Sequence, residues 1–413
     1  MATKYPHLLL ALLLSLFVRQ AYPQSAITIG KTATLHSNIL QEDRHILIYL
    51  PPSTSDTYFY PRRYPVVYLL DGDSHFLTVS GIIAQLSGDH GLAFPEMIVV
   101  AIQNTDRNRD LTPTRVTKVP QMDSAGASRT GGGEKFLGFI SRELMPYIDS
   151  LYPTAPYRMF IGHSLGGLTV INTLIHHPSL FNSYIAIDPS MSWDNGKILQ
   201  QAALALQQDS FPHRSLFLAI ANSDLSLSKF AAAGMDTNLL IAHHRSILTL
   251  RDDLMKAASR PGGIHAGWKF YPDYEHSDLP PVAEYDGLRF LFHDYPLEIS
   301  PFFNAASGKA DTAISTHYKA ISRQMGYTVL PPESVINDLG YSCLGRGQLS
   351  RARYFFQLNV DNYPKSFNVY DSMGDYYVAA GDYKMAIKLY EKALTLRDNP
   401  DTQKKLDKLT TGR

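Results

Sequence analysis

A serine set between glycines is the feature of this sequence that points most directly to chemistry. Ser164 lies in the stretch Gly162-His163-Ser164-Leu165-Gly166, between an apolar run at 158–161 and a helical pattern that starts near position 168. A nucleophile at a sharp strand-to-helix turn sits in strained backbone, and the flanking glycines let neighbouring chain pass close to it. The pattern therefore predicts Ser164 as a nucleophile. A glycine-rich turn without chemistry is the alternative.

A serine hydroxyl needs a base, and His276 has the position that this role requires. It follows an apolar run at 268–271 and precedes a helical pattern at 285–292, where a loop after the last strands of a sheet carries a catalytic histidine. His265 and His293 lie outside that loop, so we expect them to be structural. The pairs at 176–177 and 243–244 suggest metal ligands, but neighbours on a helix point about 100° apart, which favours a structural role.

The third group should orient the imidazole, and Asp224 is the carboxylate that the sequence favours. It follows the run at 216–221, which is the strand before that of the histidine and a usual place for the acid. Three other acidic residues compete for this role, although a solvated loop or helix charge is the simpler interpretation of each: Asp252, Asp273 and Asp278.

The oxyanion of an acyl-transfer intermediate needs two backbone N–H donors. We expect the first to be the N–H of Leu165, at the start of the helix that follows the serine. The second is expected in the loop after the run at 66–70, where Gly72 permits close backbone approach, so the N–H of Gly72 or Asp73 is predicted. That Asp71 and Asp73 simply fix the turn is an equal alternative.

Three further side chains bear on the substrate. Arg107 and Arg109 follow a strand at 97–102, at the edge where open α/β sheets bind ligands, and are candidates for clamping an anionic group. Their acidic neighbours favour structural ion pairs as the alternative. Trp193 is a candidate aromatic wall for an acyl or sugar group, with packing beneath a lid as the alternative.

The elements that must position these residues alternate between short apolar runs and longer helical patterns from about 35 to 295. This alternation predicts an α/β fold with a mostly parallel sheet covered by helices on both faces. The predicted strands are 45–50, 66–70, 97–102, 158–161, 183–187, 216–221 and 268–271. Except after the first, the connections are long enough for right-handed crossovers.

The remainder of the chain is predicted to be helical. A connector at 296–332 precedes two copies of a 34-residue pattern within 333–400, and a tail follows at 401–413. The shift superposes Gly340 on Gly374 and Phe356 on Tyr390. This period resembles the tetratricopeptide repeat, in which small residues let two antiparallel helices approach closely. Two copies are too few for an independent solenoid, so we expect them to pack on the preceding domain.

Length, charge and cysteine content exclude several classes of protein. The 413 residues suffice for two or three domains, and 38 basic residues against 38 acidic ones leave no electrostatic footprint for nucleic acid. The lone Cys343 forms neither an intramolecular disulfide nor a cysteine-based zinc site. Residues 1–26, with Lys4 before an apolar run at 8–18, have the layout of a signal peptide, which predicts a periplasmic or secreted protein; an uncleaved anchor is the alternative.

Several blocks in order resemble the putative-esterase family of α/β-hydrolases, which includes enterochelin esterases. They are YPVVYLLDGDSHF at 64–76, NTDRNRDLTPTR at 104–115, GHSLGG at 162–167, AIDPSMSW at 186–193 and YEHSDLPPVAEYDGLRFLF at 274–292. The resemblance implies an α/β-hydrolase fold over about 27–295 and a serine ester hydrolase with Ser164 as nucleophile and His276 as base. Within this family, some siderophore esterases rely mainly on the serine and histidine, with a displaced acid. The resemblance therefore leaves the identity of the acid open.

Together these observations predict an exported serine esterase that acts on a small-molecule ester through an acyl-enzyme, without metal or organic cofactor. Membrane association is not expected after signal cleavage, and the repeats are a candidate surface for a protein partner. Acyl transfer to an alcohol by a related fold is one alternative. A non-catalytic protein that binds partners through its helical repeats is the other.

Overall fold

The computed structural model describes residues 26–88, 91–117, 123–232, 237–299, 301–302 and 311–411. The predicted signal peptide therefore lies almost wholly outside the described residues. Among the described helices, none has the length and apolar character needed to cross a bilayer.

An eight-stranded sheet organises the first two thirds of the chain, with the spatial order β1-β2-β4-β3-β5-β6-β7-β8. β1 and β2 pair antiparallel with their neighbours, and the remaining strands run parallel. The strands are β1 (Lys31–Ser37), β2 (Glu42–Tyr49), β3 (Tyr64–Leu69), β4 (Ile98–Ile102), β5 (Thr154–His163), β6 (Ser183–Ile187), β7 (Ser215–Ala221) and β8 (His265–Tyr271). The predicted α/β-hydrolase fold is confirmed.

Helices cover both faces of this sheet because β3 to β7 are apolar on both sides. On one face pack α4, α5, α6, α7 and α9, and on the other α1, α10 and α11. A π-helical turn, Ile140–Leu144, joins α4 to α5. The helices of this part are α1 (Gly72–Ser87), α2 (Arg107–Asp110), α3 (Ser124–Arg129), α4 (Gly133–Phe139), α5 (Met145–Leu151), α6 (Leu165–His176), α7 (Trp193–Gln208), α8 (Ser223–Ala232), α9 (Asn238–Ala258) and α10 (Pro280–Leu291).

The C-terminal part is all helical and has a core of its own. Its helices are α11 (Asp311–Met325), α12 (Glu333–Gly345), α13 (Leu349–Asn362), α14 (Phe367–Ala379), α15 (Tyr383–Leu396) and α16 (Pro400–Thr411). A Cβ at Gly340 would collide with the ring of Phe356, and one at Gly374 with the ring of Tyr390. The sequence repeat therefore coincides with two close helix pairs, while their relation to tetratricopeptide repeats stays a prediction.

The helical part contacts the loop between β2 and β3. The buried Glu333 side chain, at the start of α12, accepts hydrogen bonds from the Tyr60 backbone N–H at 2.8 Å and from the Ser366 hydroxyl at 2.7 Å. Tyr60 precedes β3, so this contact is at the N-terminal ends of the parallel strands. The residues predicted to do chemistry lie at their C-terminal ends.

Candidate active site

Ser164 forms a sharp turn between β5 and α6. Its backbone has φ 59° and ψ −116°, in a region that a residue with a side chain seldom adopts. The turn is closed by hydrogen bonds from Ser164 N–H to the Ile187 carbonyl and from Ser190 N–H to the Ser164 carbonyl, both 3.0 Å long. A Cβ at Gly162 would lie 2.5 Å from the Gly166 carbonyl, so this turn requires glycine there. These contacts fix the Ser164 side chain at the C-terminal edge of the sheet.

His276 lies within hydrogen-bonding distance of the serine. Its Nε2 is 3.0 Å from Ser164 Oγ, and its Nδ1 is 2.6 Å from Asp188 Oδ2. The histidine is carried by the loop between β8 and α10, which Asn222 holds by donating through Nδ2 to the Pro272 carbonyl at 2.7 Å. Three side chains from three separate loops thus form a continuous hydroxyl–imidazole–carboxylate chain.

The carboxylate beside His276 is Asp188, and the choice of Asp224 from the sequence is wrong on this point. Asp224 is an exposed residue in the first turn of α8, and its backbone N–H bonds Asn222 Oδ1. The competing aspartates are engaged elsewhere or exposed: Asp252 pairs with Arg251, Asp273 is exposed, and Asp278 accepts the Glu275 N–H.

Asp188 is buried, with a positive φ of 40° directly after β6. Its Oδ1 accepts the Ala221 backbone N–H at 2.9 Å, and its Oδ2 accepts from His276 and from His243 Nε2 at 2.9 Å. Burial alone would raise the pKa of Asp188, but the hydrogen bonds from the two histidines outweigh it and hold that pKa well below its ordinary value. The carboxylate is therefore ionised at neutral pH.

His243 is a site residue that the sequence analysis missed, since it assigned the pair at 243–244 to a structural role. Asp188, His243 and His276 bring their ligand atoms within 4.8 Å of one another, which is a donor set suited to a transition metal. The His276 and His243 contacts to Asp188, at 2.6 and 2.9 Å, are ordinary hydrogen-bond distances. We therefore treat the three residues as a hydrogen-bonded cluster.

His163, next to the serine, faces His276 from the sheet side. Their ring centroids are 4.5 Å apart, and burial together with the charge of neighbouring His276 lowers the pKa of His163 to about 3. The His75 ring, whose centroid is 6.0 Å from that of His163, belongs to a buried pair in which His75 Nδ1 and Glu284 Oε1 are 2.7 Å apart. His163 is thus a neutral group beneath the site.

The two segments predicted to bind an oxyanion adjoin each other. Asp71, with φ 51°, precedes α1, and its carbonyl accepts hydrogen bonds from the N–H groups of Ser74 and His75. Gly72 and Asp73 are therefore the first two residues of the helix. A Cβ at Gly166 would lie 3.3 Å from Asp71 Oδ2, so the start of α1 abuts the start of α6 at Leu165.

The acidic side chains of this segment fix the turn. The Asp71 carboxylate accepts hydrogen bonds from Arg107 Nε and from Asn104 Nδ2, both 2.7 Å long. The Asp73 carboxylate accepts one from the Asn104 backbone N–H at 2.9 Å. Burial would raise the pKa of Asp71, but Arg107 and Asn104 hold it below its ordinary value.

The two arginines proposed as substrate clamps are engaged within the protein. Arg107 donates to both oxygens of Asp71 and, at 3.4 Å, to the His163 carbonyl, so it braces the serine turn. Arg109 uses Nε, Nη1 and Nη2 on Asp110 and Glu42. The structure therefore contradicts the clamp role of Arg109, and the structural alternative holds.

Trp193 lies close to the serine turn, at the start of α7. Its backbone N–H bonds the Ser190 carbonyl, and the Ser190 hydroxyl is 3.2 Å from Ser164 Oγ. The indole N–H donates to the Thr114 carbonyl at 3.3 Å, and the partly buried ring packs against the core. The backbone of Trp193 is thus held beside the serine turn while its ring packs within the protein, and its role as an aromatic wall stays a prediction.

Comparisons with known proteins agree with this architecture. A profile of the family described as Putative esterase matches residues 37–227. The chain is 29% identical to the ferri-bacillibactin esterase BesA of Bacillus subtilis over an alignment of 287 residues, which covers 65% of this chain and 92% of the relative. It is 24% identical to a siderophore triacetylfusarinine C esterase of Aspergillus fumigatus over an alignment of 253 residues, which covers 57% of this chain and 84% of the relative.

A solved structure extends the likeness beyond the matched family region. The crystal structure of an IroE-like serine hydrolase from Shewanella oneidensis superposes with a TM-score of 0.67 at 30% identity, over 80% of this chain and 98% of that one. The family profile includes the serine turn, and the structural match takes in four fifths of the chain. The chain therefore belongs to the putative-esterase family.

Proposed function

We propose that this protein is a serine ester hydrolase with Ser164 as nucleophile, His276 as general base and Asp188 as the orienting acid. The observation that carries the proposal is the contact chain in which His276 Nε2 is 3.0 Å from Ser164 Oγ and His276 Nδ1 is 2.6 Å from Asp188 Oδ2. Both distances are hydrogen-bonding distances, so His276 can take the serine proton while Asp188 holds the imidazole.

In the proposed reaction, Ser164 Oγ attacks the ester carbonyl while its proton passes to His276 Nε2. The tetrahedral oxyanion accepts hydrogen bonds from the N–H group of Leu165 and from that of Gly72 or Asp73. Collapse expels the alcohol, which takes the proton from His276, and leaves an acyl-Ser164 ester. Water then attacks this ester, again losing a proton to His276, and the carboxylic acid is released as Ser164 recovers its proton.

We infer that the natural substrate is a siderophore held together by ester bonds. The support is that one relative, 92% covered by this chain, is named as a ferri-bacillibactin esterase, and another as a siderophore triacetylfusarinine C esterase. Trp193, close to the serine turn, supplies an aromatic surface for the acyl part of such a substrate. We also infer export to the periplasm or exterior from the apolar segment at 8–18, which N-terminal sequencing of the mature protein would test.

The test combines a fluorophosphonate probe with a panel of esters. We expect the wild-type protein to be labelled and the Ser164→Ala variant to remain unlabelled, with turnover lowered by several orders of magnitude. The panel contains p-nitrophenyl acetate, a feruloyl ester, acetylated xylan and an ester siderophore, and the siderophore should give the highest kcat/KM. Equal turnover in Ser164→Ala would refute the nucleophile, and a preference for another ester would refute the substrate class.

A further inference from the structure

His243 reaches the same carboxylate oxygen as His276. It lies near the start of α9, with its side chain mostly buried, and its Nε2 is 2.9 Å from Asp188 Oδ2. The two imidazole rings are nearly perpendicular, at 86°, with centroids 5.4 Å apart. They therefore approach the oxygen from different directions without stacking on each other.

The hydrogen bonds around Asp188 leave no freedom in its carboxylate. Oδ1 accepts the Ala221 N–H, and Oδ2 accepts two imidazole N–H groups. Because an ionised carboxylate is only an acceptor, His243 must donate from Nε2. Without His243, a single hydrogen bond from His276 would hold Oδ2, and the Ala221 N–H on Oδ1 would be the other restraint on the carboxylate that orients the imidazole towards Ser164.

We propose that His243 is a positioning residue for the reaction at Ser164, acting through Asp188 by fixing the oxygen that orients His276. The inference rests on the proposed function. A positioning role differs from a purely structural role in two ways. A positioning residue acts on kcat with little effect on KM, and its effect disappears when Asp188 is absent.

The first variants separate the N–H donor from the ring. His243→Phe keeps an aromatic ring without the donor, and we expect it to lower kcat on an active ester about 10- to 100-fold with KM within about twofold of wild type. His243→Gln keeps a donor on a chain of similar reach and should restore kcat to within about threefold of wild type. His244→Gln is the matched control, because His244 lies against Phe270 and should leave kcat unchanged.

A double-mutant cycle then tests whether His243 acts through Asp188. In an Asp188→Ala background, His243→Phe should change kcat by less than about twofold, because the oxygen that it holds is gone. Wild-type kcat in His243→Phe would overturn the proposal. It would also be overturned if His243→Gln lost as much kcat as His243→Phe and both had a lower Tm. A 10-fold loss of kcat on adding His243→Phe to Asp188→Ala would overturn it as well.

Failure of the proposed function gives a different result. In that case wild type and Ser164→Ala are equally inactive and equally unlabelled by the fluorophosphonate, and the positioning role falls with the reaction. An active, labelled wild-type protein whose kcat is indifferent to His243→Phe refutes the positioning role alone.

Discussion

At the residue scale, the backbone turn at Asp188 determines which carboxylate meets His276. β6 lies between β7 and β5, which ends directly before Ser164, so a side chain just after β6 is already beside the serine turn. Strand order along the chain favoured the loop after β7 for the acid. A buried aspartate directly after a fully apolar strand was the available signal, but only the sheet order shows which loop end faces His276.

Substituting Asp188 and Asp224 in turn tests which of them is the acid of the active site. We expect Asp188→Asn to lower kcat about 10³- to 10⁴-fold, because an amide no longer stabilises the imidazolium or fixes its tautomer. Asp224→Asn should leave kcat unchanged, since Asp224 is exposed and the acid contact is made by Asp188. Steady-state kinetics on one ester decide the matter, and a large loss in Asp224→Asn with an intact Asp188→Asn would reverse the assignment.

His163 should make stability depend on pH. Its folded pKa of about 3 lies below the ordinary value of 6.5, so the unfolded chain binds a proton that the native state excludes. Its contribution to stability is therefore complete above about pH 6.5 and is lost as pH falls towards 3. For one proton the slope is about 1.4 kcal/mol per pH unit.

The comparison variant is His163→Gln, which has no group to titrate. Between pH 7 and pH 5 the free energy of unfolding in urea should fall about 2 kcal/mol more for wild type than for the variant. Parallel decreases in the two proteins would show that His163 is protonated in the native state.

At the element scale, buried strands were more predictable than exposed ones. The run at 183–187 matches β6 at both ends, because every residue of that strand is buried. β1 was not predicted, since its sequence KTATLHS alternates weakly and is largely exposed. Its place at the sheet edge follows from antiparallel pairing with β2, which a local hydrophobic pattern does not encode.

Two glycines test the link between the serine turn and its flanking elements. Gly162→Ala should lower the free energy of unfolding by about 1–3 kcal/mol and reduce kcat, because its Cβ would press on the backbone of Gly166. Gly81→Ala, in α1 with open space around it, is the control and should raise stability by about 0.5–1 kcal/mol. Urea denaturation and ester kinetics measure both, and an unperturbed Gly162→Ala would show that the turn relaxes freely.

At the scale of the whole molecule, the C-terminal helices contact the hydrolase domain far from the serine. Besides Glu333, the Arg397 side chain donates to the Thr57 carbonyl, and the Tyr58 ring meets Phe367 edge-on with centroids 5.3 Å apart. This agrees with the expectation that two repeats pack on the preceding domain. A separate protein partner for the repeats stays a prediction.

Removing 333–413 tests what these helices contribute. We expect ester turnover per folded molecule within about twofold of the full chain, because the contacts lie at the opposite ends of the strands from Ser164. Solubility should fall, since aromatic surface at Tyr58 and Tyr60 and the face of α11 would lose its cover. Size-exclusion chromatography, thermal melting and kinetics of the monomer fraction separate these effects. Unchanged melting and solubility would make the helices an independent appendage, whereas lost turnover in a folded monomer would mean that they support the active site.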